Sequence, residues 1–244
     1  MLAGNVLNHA VTRGLIAETP LKRLSKTERP RVRNKSEPRI LTREETAALI
    51  AKTPKPYRAL IATTAVTGAR QSEVLGLTWE CIDFEAGVIR FRHQLSRAKR
   101  DAPARLVPLK SGGDRRDVEM IPALAKLLAQ HKLASHYAQD VDFVFATSTG
   151  RPVYYRNASS RGLDEGAKRA GLNADPSLPK LSFHDLRHSA ISHLIRSGAD
   201  VVRVQRFAGH SKPSTTLDVY AHEFRAREGD DIGQRLAVAF EGVL

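Results

Sequence analysis

The sequence predicts a mainly α-helical fold with one small antiparallel β-sheet set into it (an α+β class). Three observations point there. Apolar residues recur at helical spacing from Thr42 to Val66, and a helical pattern returns after Pro122 for the remainder of the chain. Between Gly87 and Ile121 the texture changes to short, alternating, partly β-branched stretches, VIRFRHQ, ARLVPL and DVEMI, separated by polar turn residues such as SGGD. With 244 residues, 41% of them hydrophobic, the chain can bury a core as one large domain or two modest ones.

Taken in order, residues 1–18 hold a short helix over 3–15, with Val6, Leu7, Ala10, Val11 and Leu15 near helical spacing. Alone it is too small for a domain. Residues 19–41 read as a basic, extended linker, because three prolines and many cations between Thr19 and Ile40 interrupt any apolar period. Residues 42–244 form the folded body. It opens on TREE, where Thr42 and Glu45 make a capping box, and a second helix from Pro56 to Val66 ends at Gly68. About three strands follow, then helices over 123–137, 157–170, 185–197, 201–208, 214–222 and 230–242. The last carries a mostly apolar face with Ile232, Leu236, Val238, Ala239, Phe240 and Val243, to pack on its own body or on a neighbouring subunit.

Composition narrows the partner. A single cysteine, Cys81, allows no internal disulfide and argues against a thiolate metal site, which agrees with a reducing compartment. No run of about 18 apolar residues and no secretion signal is present, so no membrane is expected and a cytoplasmic location is. The formal charge of +13 and pI near 10.2 suit a polyanion, and nucleic acid leads. Clustering favours this over a merely solubilising surface: nine basic residues against two acidic lie between Leu21 and Arg43, and nine against two again between Arg90 and Arg116.

The stretch FHDLRHSAISHL, 183–194, poses the chemical question. His184 and His188, four apart, share a helix face and superficially match HExxH, but Asp replaces Glu, Arg187 sits beside the supposed dication, and no spacing marks a third ligand. An anion clamp fits better. Arg70 in TGARQSEVLGLTW follows a glycine turn at a helix start, where backbone N–H groups favour an anion. His184 and Arg187, three apart, project from nearly the same side of their helix, and FAGHSKPSTTLDVYAH adds His210 and Tyr220. Planar guanidiniums neutralise phosphodiester oxygens bidentately. A phenol attacks only if a base takes its proton, and imidazole suits that task. Tyr220 is thus the candidate nucleophile, helped by His184; Lys110 in LVPLKSGGDRR is the candidate proton donor to the leaving hydroxyl, with Lys99 the alternative should the strand register differ. Glu73, one turn after Arg70, orients it by ion pairing. His188 and His193 read as structural.

The four segments TGARQSEVLGLTW, PLKSGGDRR, HDLRHSAISHLI and GHSKPSTTLDVYAH, in this order, resemble the catalytic domain of the tyrosine recombinases, the phage-type integrases, over roughly residues 42–225. The resemblance implies a pocket of Arg70, Lys110, His184, Arg187 and His210, with Tyr220 forming a 3′-phosphotyrosyl link to double-stranded DNA. It implies strand exchange that conserves bond energy and needs no cofactor, neither ATP nor metal. It also implies other copies of the chain on DNA, a tetrameric synapse, and accessory DNA-bending or directionality proteins. Family members carry a helical DNA-clamping domain ahead of the linker, and residues 1–18 resemble only its last helix. A non-catalytic DNA-binding remnant is therefore the competing function, and a metallohydrolase the third.

Overall fold

A computed structural model describes residues 2–25, 38–97, 103–109 and 116–225, together with Gly233, Val238 and Glu241. The chain divides into two compact units, Met1–Glu37 and Pro38–Leu244. In the first, helix α1 spans Leu2–Thr12, and a single 3₁₀ turn, Pro20–Lys22, is capped by the Thr19 side chain, which accepts from the Leu21 N–H. A cap residue followed by proline at the first helical position is a favoured helix start.

The second unit begins with a strap whose Leu41 is fully buried; its N–H donates to Ser189 Oγ at 2.8 Å, and its carbonyl lies 2.9 Å from His193 Nε2. Helix α2 (Arg43–Lys52) starts at the expected capping box, with both Thr42–Glu45 bonds formed. Helix α3 (Lys55–Thr67) is almost wholly buried and ends on Gly68 at φ 58°, the left-handed position that glycine fills most easily. The short α4 (Gln71–Leu75) follows.

Among the described residues, β1 (Ile82–Asp83) precedes the expected β-rich region, and four short strands lie within it where about three were expected: β2 (Val88–Phe91), β3 (His93–Leu95), β4 (Leu106–Pro108) and β5 (Arg116–Glu119). They form two sheets, β1–β2–β5 and β3–β4, all pairs antiparallel. The stretch VIRFRHQ read as one strand is two, because its halves pair with different partners: Phe91 opposes Arg116, whereas His93 opposes Pro108. Alternation along β5 buries Arg116 and Val118 on one face.

Helix α5 (Pro122–Leu133) comes next. The expected helix over 157–170 is three joined pieces, α6 (Tyr155–Asn157), a π-helical segment Ala158–Asp164 and α7 (Glu165–Arg169). Helix α8 (Phe183–Arg196) is set by a capping box between Ser182 and Asp185, α9 (Val201–Ala208) is capped by Asp200 and ends on Gly209 at φ 62°, and α10 spans Pro213–Arg225. The terminal helix expected over 230–242 lies outside the described residues, apart from Gly233, Val238 and Glu241. A main core gathers α2 to α8 and the sheet; a smaller one joins Ile191, Ile195, Val204, Ala208 and Tyr220. Among the described residues, no helix is long and apolar enough to cross a membrane.

Candidate active site

Two helix ends and two arginines build the site. Helices α3 and α9 both stop at left-handed glycines, so their last carbonyls lack helical partners. Arg187, on α8 and only 3% exposed, donates from Nη1 to the Gly68 carbonyl at 2.7 Å and from Nη2 to the Ala208 carbonyl. Arg116, on β5, bridges the same pair: Nη2 donates to the Thr67 carbonyl and Nε to the Phe207 carbonyl. Cations at helix C-termini also meet the negative end of the helix dipole. The approach is close enough that a Cβ on Gly68 would sit 3.2 Å from the Phe207 ring and one on Gly209 3.0 Å from Arg116 Cδ.

Glu73 ties this frame to Arg70. Its carboxylate takes Arg116 Nη1 at 3.1 Å on one oxygen and Arg70 Nη1 at 2.6 Å on the other, and also accepts the Arg70 N–H. Burial pushes the Glu73 carboxyl up, but the Arg116 and Arg70 guanidiniums outweigh it and hold it below its ordinary value. The ion pairing expected of Glu73 is present, with Arg116 as a second, unforeseen partner. Arg116 lies between the Phe91 and Phe207 rings, 5.0 and 5.6 Å from their centroids. Burial lowers its pKa to about 9, still charged at neutral pH. Burial and then the Arg70 charge lower Arg187 to about 10. Arg70 differs in being one-third exposed, at 34%.

The nucleophile candidate comes from the other side of the frame. Tyr220 on α10 is 2% exposed and packs into the smaller core, with its hydroxyl 2.6 Å from His188 Nδ1. Burial raises its pKa above the ordinary phenol value, Arg187 opposes this, and Glu223 adds to it. His184 meets the His188 ring edge-on, with centroids 4.7 Å apart. His210, in the α9–α10 turn, places Nδ1 2.9 Å from Thr216 Oγ1 and accepts from Gln205 Nε2 on its carbonyl. Burial, then the charges of Arg187 and Arg70, hold His210 down at about 4, so it is neutral at pH 7.

Five of the six residues singled out from sequence, Arg70, His184, Arg187, His210 and Tyr220, therefore surround one region; Lys110 and its alternative Lys99 lie outside the described residues. The hydrogen-bond partner of the Tyr220 hydroxyl is His188, where His184 was expected to assist. Asp185 is engaged elsewhere: one oxygen closes the α8 capping box and the other accepts the Arg39 N–H at 3.2 Å. His193 has the structural contact to Leu41 that was anticipated. Sequence reading passed over Arg116, although it lies two residues before Val118 on the apolar face of a strand, where a charge is an anomaly.

Outside this frame lies a cleft of about 400 Å³ lined by Arg70, Gln71, Arg97, Ser182 and His184 among others. It shares Gln71, Arg97 and Ser159 with a groove of about 840 Å³ that adds Arg151, Tyr154, Tyr155 and Arg156. Tyr154 is half exposed there, and Arg97 stacks over the Tyr155 ring at 5.3 Å. Trp79, by contrast, is a core residue.

With this geometry in place, the comparisons with known proteins are consistent. The phage integrase family model matches residues 31–227, and the chain belongs to that family. It is 29% identical over 219 residues to a tyrosine recombinase of Thermosipho africanus, covering 88% of this chain and 66% of that protein. To tyrosine recombinase XerD of Shewanella oneidensis it is 33% identical over 170 residues, 70% of this chain and 50% of the relative. To prophage integrase IntR of Escherichia coli it is 25% identical, covering 88% and 54%. The chain thus spans about half to two thirds of the length of these curated relatives. In fold it is similar to the Tn1549 transposon integrase solved with transposon right end DNA, with a TM-score of 0.70, 21% identity, and 94% of this chain and 75% of that one covered. XerA recombinase superposes with a TM-score of 0.56 at 22% identity, over 81% and 63%.

Proposed function

We propose that the chain cleaves and rejoins double-stranded DNA at specific sites, through a 3′-phosphotyrosyl intermediate at Tyr220. The observation that carries this reading is the gathering of two arginines, two histidines and a tyrosine around one point, from the start of α4, from α8, from the α9–α10 turn and from α10, on a basic protein. Arg70 and Arg187 would hold the non-bridging oxygens of the scissile phosphate, whose charge is hardest to accommodate in the five-coordinate transition state. Arg187 gives two of its five N–H groups to carbonyls, and so keeps donors for a ligand. Neutral His210 would donate a hydrogen bond to the same phosphate.

The phenolic oxygen of Tyr220 would bond to phosphorus as the bond to the 5′ oxygen breaks. The leaving hydroxyl takes a proton, for which Lys110 is the proposed donor. Rejoining is the reverse, with the ester bond conserved. Arg97, Arg151 and Arg156 along the larger groove would contact the phosphate backbone. The relatives named as recombinases and the DNA-bound Tn1549 integrase support the choice of substrate, and further copies of the chain on the same DNA belong to this reading.

The test is covalent capture. Incubating the chain with a pool of randomised, nicked duplexes should yield an adduct that survives denaturation, and Tyr220→Phe should abolish it while retaining DNA. An adduct undiminished in Tyr220→Phe contradicts the assignment. Equal DNA retention without an adduct from either protein would favour the non-catalytic reading.

A further inference from the structure

We propose that His188, a residue outside the pocket the sequence motifs define, is the base that takes the proton of Tyr220 during cleavage and returns it during rejoining. The inference rests on the reading of Tyr220 as nucleophile. Its ground is contact: the Tyr220 hydroxyl lies 2.6 Å from His188 Nδ1, within hydrogen-bond reach for direct proton transfer. The alternatives are otherwise engaged. His184 packs edge-on against the His188 ring, and His210 directs its Nδ1 to Thr216. His210 is also a weak base, since burial and then Arg187, Arg70 and Arg116 oppose its protonation.

The chemical need is specific. Burial in the small core raises the Tyr220 phenol above its ordinary value, so it does not ionise unaided near neutrality. In the step, neutral His188 with its own proton on Nε2 accepts the phenolic proton on Nδ1 as the oxygen bonds to phosphorus. The electron pair of the breaking bond goes to the 5′ oxygen, which is protonated by a separate acid. In rejoining, the 5′ hydroxyl attacks, and the departing phenolate recovers its proton from the His188 imidazolium. The titratable and charged groups around this pair are His184 on its own helix, His210 from the α9–α10 turn, Arg187 beside the phenol, and Glu223 from α10.

The experiment measures the rate of adduct formation against pH on a nicked duplex recovered by covalent capture, for the full chain, His188→Gln, His188→Asn and His184→Gln. Both His188 variants should be slowed about 10²-fold near neutrality. Their rates should climb tenfold per pH unit above the imidazole range, where the parent is level, while His184→Gln, slowed as a pocket residue, stays level there. A folding defect would lower the amount of competent protein and leave the slope alone. A second arm replaces the 5′ bridging oxygen by sulfur, a leaving group that needs no acid; the His188 deficit should persist. A parent-like slope in the His188 variants, or a deficit erased by the sulfur, overturns the proposal. Failure of the Tyr220 reading is separately visible as an adduct that persists in Tyr220→Phe.

Discussion

The two halves of the candidate site are held in different ways. On the arginine side, Arg187 and Arg116 each bridge the C-terminal carbonyls of α3 and α9, and Glu73 joins Arg116 to Arg70. Every one of these contacts is buried or half-buried and several engage the backbone itself, so Arg187 and Arg116 cannot reorient without opening two helix ends. On the tyrosine side, α10 is held by a small apolar cluster, by two hydroxyl–imidazole contacts (Tyr220 with His188 and Thr216 with His210), and by Arg196, which pairs with both oxygens of Glu223 at 2.8 Å from a half-exposed position. The difference teaches a division of labour. The proposed charge recognition is preorganised at the cost of burying cations, while the proposed nucleophile sits on an element held more by side chains than by backbone, the kind that can move when a ligand arrives.

Four outcomes break or sharpen this contrast. The largest concerns Arg187→Ala, which removes both a bridge and the proposed phosphate donor. Single-turnover cleavage should fall about 10³-fold, the scale set by loss of one preorganised donor. Next, Glu73→Gln strips the partner from buried Arg116 and should cost about 3–5 kcal/mol in urea unfolding. Adding Arg116→Met should restore part of that loss, because the stranded charge goes with it; a double variant weaker than the single one would deny Arg116 this role.

A smaller effect comes from His210, whose folded pKa is depressed to about 4 against 6.5. Between those values the unfolded chain binds a proton that the folded chain refuses. Its contribution is therefore full above pH 6.5 and is lost as pH falls toward 4. About 1–2 kcal/mol is expected, discounted for a ring that is only half buried. His210→Gln should flatten that part of the stability profile. Smallest is Arg196→Ala, worth under about 1 kcal/mol because the guanidinium is half in solvent. Its signature should be local: faster hydrogen exchange in α10 with α3 and α9 unchanged. Equal acceleration in all three would erase the distinction between the halves.

What the sequence made legible follows from what is local. The capping boxes at Thr42 and Ser182 depend on residues three apart, and the first was read directly. Gly68 as a helix stop was equally plain. The strand count was low because VIRFRHQ changes partners midway and because the two-residue β1 lies ahead of the alternating stretch; pairing is a long-range property that alternation cannot reveal. In the site, the residues singled out were those embedded in recognisable segments. Arg116 was not, since its meaning lies in two carbonyls, those of Thr67 and Phe207, 49 and 91 residues distant in sequence. His188 was treated as structural for the same reason, its partner being 32 residues further on.

The central claim is that the guanidiniums and the phenol serve one and the same phosphate, and neutralising that phosphate tests it most directly. A duplex carrying a single methylphosphonate at the scissile position lacks the charge that Arg187 is proposed to offset. On it, Arg187→Ala should react within about 10-fold of the parent, against the about 10³-fold deficit expected on ordinary DNA. An equal deficit on both substrates would contradict the account.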